Sequence, residues 1–162
     1  MAEALDPIAE ARRQWEAHGW GDAAPAMAAV TSVMRAQQLF LARVDEHLAP
    51  FGLTFARYEL LRLLAFTRHG ELPLGKLGER LQVHATSVTS AVNRLEAQGF
   101  VRRVPHPTDG RTTLATITPA GRDVVERATE VLNEQVFADI GLNHREVAQL
   151  YRLLEKARSH QG

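Results

Sequence analysis

The sequence predicts a mainly α-helical protein that carries one small β-hairpin. Apolar residues recur at helical spacing through most of the 162-residue chain. One stretch, RRVPHPTDGRTTLATITPAG at residues 102–121, instead combines β-branched residues with the Pro and Asp-Gly signals of a turn. The composition is 45% hydrophobic, which is sufficient for one ordinary core. We therefore expect a single compact domain.

Composition narrows the functional class. The chain has 19 basic and 19 acidic residues, so any electrostatic binding site must be local. It has no cysteine, which excludes disulfides and thiolate metal sites. Its acidic N-terminus lacks the pattern of a signal peptide, and no apolar run approaches the roughly 18 residues of a membrane helix. We expect a cytoplasmic protein without a membrane partner.

The first predicted helix of substantial length covers residues 26–51, where the apolar residues form a continuous stripe. Pro50 and Gly52 close it. Thr54 can cap the next helix, and Gly70 can end that helix in a left-handed conformation.

Two shorter helices follow, separated by a tight turn. Leu74, Leu77 and Leu81 lie at positions i, i+3 and i+7 of the first. The second covers residues 85–98 and directs its valines and leucine to one side, and Gly99 terminates it.

The segments FVRRV and TLATIT predict two strands, and PHPTDGR between them predicts the turn of a β-hairpin. Thr118 and Pro119 then begin a helix as its cap and first residue. Asn143 and Glu146 form the capping box of a last helix.

This order of three helices and a hairpin is that of a winged helix-turn-helix, whose third helix enters the major groove of DNA. The outward face of residues 85–98 carries short hydrogen-bonding side chains, whereas a merely solvated helix face favours Glu and Lys. The pattern favours groove contact, with a polar face that has no partner as the alternative. The predicted contact residues of this helix are Thr86, Ser87, Thr89, Ser90, Asn93 and Arg94.

The hairpin, or wing, concentrates positive charge. Arg102, Arg103, His106 and Arg111 lie within ten residues, with Asp109 as the only acid among them. We expect all five to contribute to DNA binding, because an arginine at a hairpin tip can enter a narrow minor groove. Asp109 can brace the Arg111 guanidinium. The alternative is an ordinary surface turn with a loose ion pair, which contributes little.

The stretch LGERLQVHATSVTSAVNRLEAQGFVRRVPHPTDGRTTLATITPAG resembles the DNA-binding lobe of the multiple-antibiotic-resistance regulator (MarR) family. The resemblance spans roughly residues 53–128, and His84 departs from it where the family often has a small capping residue. The residues that match the family's motifs are Arg94, Leu95, Glu96, Gly99, Asp109, Arg111, Thr118 and Gly121.

The resemblance implies three parts within one compact domain. Residues 1–52 form an N-terminal extension and a long dimerisation or linker helix, 53–118 the winged helix-turn-helix lobe, and 119–162 the C-terminal dimerisation helices. The apolar stripes at residues 5–17 and 131–154 favour a homodimer, since a monomer would expose them. Packing within one chain is the alternative. A two-fold dimer would bind a near-palindromic operator in double-stranded DNA.

The N-terminal extension resembles that of the urate-responsive branch of the family. This likeness implies that Trp20 and Asp45 help to bind a ligand. Arg94 is a basic residue that Asp45 could hold and that an anionic ligand could capture instead. The alternative is that Trp15 and Trp20 merely anchor the extra helix.

We therefore expect a dimeric transcriptional repressor that a small anionic aromatic or organic acid releases from its operator. The alternatives are a winged-helix module that binds protein and a protein that sequesters a ligand; the latter leaves the basic wing unexplained. Steep salt dependence would favour DNA over protein. The seven histidines lack metal-ligand spacing, and no GxSxG or Gly-rich phosphate loop occurs. We expect no metal, no cofactor and no enzymatic activity.

Overall fold

The computed structural model describes residues 6–161, and within them the chain forms seven α-helices and three β-strands. A 3-10 turn extends the second helix and a π-helical segment extends the sixth. In chain order the elements are α1 (Pro7–Ala17), α2 (Ala24–Leu48), α3 (Phe55–Phe66), β1 (Glu71–Pro73), α4 (Leu74–Leu81), α5 (Ala85–Ala97), β2 (Val101–Pro105), β3 (Thr113–Ile117), α6 (Pro119–Leu132) and α7 (His144–Gln161). The predicted class, mainly α with a small β wing, is confirmed.

The long predicted helix is present as α2 followed by the 3-10 turn over Ala49–Phe51. Its 25 residues make a rod about 37 Å long at 1.5 Å per residue. Val44 and Leu48, near its C-terminal end, are buried. Gly52 then reverses the chain with a φ of 68°, a left-handed conformation that glycine adopts without a steric penalty.

The core lies where α3, α5 and α6 meet. Burial of a leucine or valine side chain contributes about 1.5–3 kcal/mol relative to exposure, so this cluster fixes the position of α5. The residues of these three helices that are almost completely buried are Leu60, Leu61, Leu64, Val92, Leu95, Val125, Ala128 and Leu132.

The wing is part of a three-stranded antiparallel sheet with the order β1-β3-β2. The predicted hairpin of β2 and β3 is confirmed, with Val101 opposite Ile117 and Pro105 opposite Thr113. Strand β1, which pairs Glu71 with Thr116, was not predicted from the sequence. Three residues are too few to show strand alternation, yet they attach the inner strand of the wing to the segment between α3 and α4.

The predicted caps of the last two helices are confirmed. Thr118 accepts a hydrogen bond from the Gly121 N–H at 3.0 Å. The Asn143 side chain accepts from the Glu146 N–H at 3.1 Å, and the Glu146 carboxylate accepts from the Asn143 N–H at 2.8 Å. Each pair satisfies backbone donors that a helix N-terminus otherwise leaves free.

The terminal helices contrast with this core. Helix α1 contains no buried residue, and none of residues 144–160 is buried. Tyr151 and Leu153 in α7 are 58% and 59% exposed. Leu5, with which the predicted N-terminal stripe begins, lies outside the described residues. Helices α1 and α7 therefore present apolar side chains on their surface.

Candidate nucleic-acid interface

Helix α5 turns its polar face to the surface because its apolar residues are fixed in the core. Val88, Val92 and Leu95 are buried on one side. All six polar residues that the sequence singles out on this helix are exposed. Five of them line a single shallow recess: Thr86, Thr89, Ser90, Asn93 and Arg94.

The helix begins directly after His84, whose side chain makes no capping hydrogen bond. Ser87 is exposed but lies outside the recess. The hydroxyl and amide groups of the recess can donate to or accept from base edges, and none of its side chains carries a negative charge.

Arg103 joins the wing to α5. Its guanidinium donates to the Glu96 carboxylate at 2.5 Å and to the Asn93 side-chain oxygen at 2.6 Å, and its backbone N–H donates to Glu96 at 3.0 Å. The backbone bond first, and then the guanidinium, hold the pKa of Glu96 below its ordinary value. Arg103 was predicted to contact DNA, and in the structure its guanidinium also holds the wing against α5.

No contact was predicted for Glu96, although it is one of the residues that match the family's motifs. The available signal is its position, three residues after Asn93 on the helix and seven before Arg103 on the strand. Residues three apart lie on one helix face, so an arginine on an adjacent strand can reach both.

The wing turn is held by side chains that bond to its backbone. The His106 ring Nδ1 accepts from the N–H groups of Thr108 at 3.3 Å and Asp109 at 3.2 Å. The Asp109 carboxylate accepts from the Thr112 hydroxyl at 2.7 Å and from the Arg111 N–H at 3.1 Å. These two bonds, the hydroxyl first, lower the pKa of Asp109.

The expectation that Asp109 braces the Arg111 guanidinium is therefore wrong. The carboxylate holds the backbone N–H of Arg111 and the hydroxyl of Thr112. Within residues 6–161 the guanidinium groups of Arg94, Arg102 and Arg111 form neither a hydrogen bond nor an ion pair, and all three residues are exposed. We call these three arginines and the recess of α5 the candidate interface. It presents permanent positive charge beside neutral hydrogen-bonding groups.

The predicted ligand residues do not meet in one chain. The Asp45 carboxylate, near the end of α2, accepts from the Phe55 N–H at 2.7 Å and so caps α3. It is not paired with Arg94. Trp20 precedes α2, whose first residue, Ala24, lies about 31 Å along the helix from Asp45. The predicted pairing of Asp45 with Arg94 is therefore wrong, because the Asp45 carboxylate caps α3.

Asp45→Ala is expected to lower the free energy of unfolding by about 1–2 kcal/mol, the usual cost of removing a helix cap. Asp45→Asn should lose much less, because its side-chain oxygen can still accept from the Phe55 N–H. Urea denaturation of both variants at one protein concentration measures the difference. Equal losses for the two variants would show that the negative charge, rather than the cap, stabilises this junction.

Trp15 and Trp20 pack against each other across the turn between α1 and α2. Their ring centroids lie 5.2 Å apart with an edge-to-face geometry, and the His18 ring stacks on Trp20 at 5.9 Å. Edge-to-face pairs contribute about 0.5–1.5 kcal/mol beyond area burial. Trp20 remains 54% exposed. This packing is the one expected if the two tryptophans anchor the extra helix.

The part of the chain that the structure describes contains no group of three or more histidine, aspartate or glutamate side chains placed to hold a metal ion. None of the helices in residues 6–161 combines the length and the apolar character that crossing a membrane requires.

The three helices, the sheet and the exposed α5 together define a winged helix-turn-helix protein. A model of the MarR family matches residues 51–112. The crystal structure of Sco5413, a MarR family transcriptional regulator from Streptomyces coelicolor, is 50% identical, covers 85% of this chain and 96% of its own, and has a TM-score of 0.78. The chain belongs to the MarR family of transcriptional regulators.

Two more distant relatives bear on function. The transcriptional repressor IacR of Pseudomonas putida is 29% identical over 113 residues, which are 69% of this chain but just under two thirds (66%) of IacR. A mutant of MarR from Escherichia coli, in complex with operator DNA, is 25% identical, covers 78% of this chain and 91% of its own, and has a TM-score of 0.73.

Proposed function

We propose that this chain binds double-stranded DNA as a two-fold dimer and represses transcription. Helix α5 would lie in the major groove, while Arg102 and Arg111 of the wing contact phosphates and the adjacent minor groove. The observation that carries this proposal is the recess of α5 with its five polar or basic side chains, beside a wing whose Arg111 guanidinium bonds to no other group within residues 6–161. The E. coli relative described in complex with operator DNA supports it.

The proposed dimer follows from the size of the interface and from the terminal helices. One helix of 13 residues and one hairpin make a small contact with DNA, and two-fold dimers add a second half-site about one turn of DNA away. The apolar side chains of α7 and of the N-terminal half of α2 border a groove of about 910 Å³. A second copy of the chain would cover apolar surface that the monomer exposes.

The proposal includes repression of transcription and release of the protein from DNA by a small organic acid. The repressor IacR supports the first. Release rests on the likeness to ligand-responsive members of the family, and Trp20 is sufficiently exposed to meet a planar acid. Adding aromatic acids to a preformed complex with DNA tests release directly.

Arg111→Ala is expected to weaken binding to the preferred duplex by about 1–3 kcal/mol and to lower the salt dependence by roughly one ion. Fluorescence anisotropy at several salt concentrations measures both. Glu79→Ala, a change on the neighbouring helix that removes a negative charge, is the control and should not weaken binding. The proposed wing contact would be contradicted if the wild-type affinity for DNA did not change with salt concentration, or if Arg111→Ala bound DNA with unchanged affinity. Binding to protein with no duplex selected would favour the interaction-module alternative.

A further inference from the structure

The side-chain amide of Asn93 has only one orientation that fits its surroundings. Arg103 donates to it at 2.6 Å. Since a guanidinium has five N–H donors and no acceptor, the Asn93 atom that faces it must be the oxygen. Rotating the amide by 180° would place an N–H group against another N–H group. The amide NH2 therefore points away from Arg103.

Arg103 itself is fixed in place. Its guanidinium and its backbone N–H both bond to Glu96, at 2.5 and 3.0 Å. Its side chain is 27% exposed, so the contact is partly shielded from water. Asn93, by contrast, is exposed in the recess of α5, and its NH2 group makes no hydrogen bond within residues 6–161. The outward chemistry of Asn93 is thus that of a donor.

This donor character selects among the bases. Asparagine recognises adenine when its oxygen accepts from N6 while its NH2 donates to N7. With the oxygen turned towards Arg103, the adenine N6 amino group would face another donor, and so would the amino group of cytosine. Adenine therefore offers an outward NH2 group only N7, whereas guanine presents two acceptors, O6 and N7, and thymine presents one, O4. Guanine is the best match to an outward NH2 group.

We propose that Arg103 is a specificity-positioning residue, which turns Asn93 into a hydrogen-bond donor and so makes it select guanine over adenine in the operator. The proposal rests on the proposed function, since it requires α5 to lie in the major groove. It assigns to Arg103 an effect on base preference without any contact between Arg103 and a base.

Selection from a pool of randomised duplexes tests it first. The position at which Asn93→Ala loses its preference is the one that Asn93 reads, and the wild type should select guanine there by about 5- to 100-fold over adenine. Arg103→Met frees the amide and should bring adenine to within about twofold of guanine, since the released amide can match either base. Arg102→Met, with the same loss of charge on the same strand, should weaken binding overall and keep the preference for guanine.

A second measurement changes one base of the DNA and keeps the wild-type protein. Replacing that guanine by 2-aminopurine removes the O6 acceptor, which adenine lacks, and keeps N7, so wild-type binding should weaken several-fold. The same replacement should leave the affinity of Asn93→Ala unchanged. Selection of adenine at this position, an unaltered preference in Arg103→Met, or unchanged wild-type affinity for the 2-aminopurine duplex would overturn the proposal. If the wild type and Asn93→Ala select the same consensus, the proposal about Arg103 and Asn93 is overturned and the proposed function is not. If the wild type selects no duplex at all, the proposed function is overturned as well.

Discussion

Replacing Val147 and Tyr151 together by glutamate is expected to convert the proposed dimer into monomers and to weaken operator binding by at least about 100-fold, the size of a lost second half-site. The two residues lie four apart on one face of α7 and are 38% and 58% exposed in the isolated chain. The monomer should therefore tolerate the change, because neither glutamate would be forced into its core. Light scattering measures the oligomeric state, and anisotropy measures DNA binding.

Arg152→Glu is the matched control, since it introduces the same side chain on the polar face of α7. It should leave the dimer intact. A double variant of Val147 and Tyr151 that remains dimeric would place the interface elsewhere, and a monomeric variant with undiminished DNA affinity would contradict the two half-site geometry.

Gly121→Ala is expected to destabilise the protein by about 3 kcal/mol or more, at the upper end for an overpacked buried position. An added Cβ would overlap the carbonyl oxygen of Phe100 and lie 2.9 Å from Cγ1 of Ile117. The carbonyl cannot withdraw easily, because it accepts the Thr118 N–H at 3.0 Å. The substitution therefore strains the junction between α5, β3 and α6.

Gly75→Ala provides the comparison, since Gly75 also lies in the first turn of a helix but an added Cβ meets nothing within 4 Å. It should be neutral or stabilise by up to about 1 kcal/mol. Thermal and urea unfolding measure the stability of both variants. The protein concentration is kept equal, because the apparent stability of a dimer depends on it. A free energy of unfolding for Gly121→Ala within about 1 kcal/mol of the wild-type value would be the effect of an ordinary substitution. It would show that the junction relaxes around the added methyl group.

Features encoded locally could be predicted from the sequence. The inward face of α5 follows from the spacing of Val88, Val92 and Leu95, and the six polar residues opposite them are exposed as expected. The caps at Thr118 and Asn143 depend on residues at most three apart in the chain. Periodicity is a short-range signal and held for α5. The local cap predicted at Thr54 is wrong, because Thr54 makes no capping hydrogen bond and the Asp45 carboxylate caps α3 instead.

Features that depend on distant contacts could not be predicted. Strand β1 owes its existence to pairing with β3, more than 40 residues later. Asp45 caps a helix that begins ten residues after it. The spacing of residues in the sequence could not show whether Asp45 bonds to the Phe55 N–H or to Arg94, because either partner would satisfy its carboxylate. The same holds for Arg103, whose charge suits a phosphate as well as it suits Glu96.

The length of α2 turns a small tilt into a large displacement at its end. The Asp45 cap fastens the winged helix-turn-helix lobe to one end of this rod, and the pair of Trp15 and Trp20 lies at the other. A tilt of about 5° moves the end of a rod about 37 Å long by about 3 Å. This distance is close to the rise of about 3.4 Å between successive base pairs. In the proposed two-fold dimer the displacements of the two lobes are opposite and add. A change of a few degrees at the tryptophan end would therefore shift both α5 helices out of register with the two major grooves that they are proposed to enter.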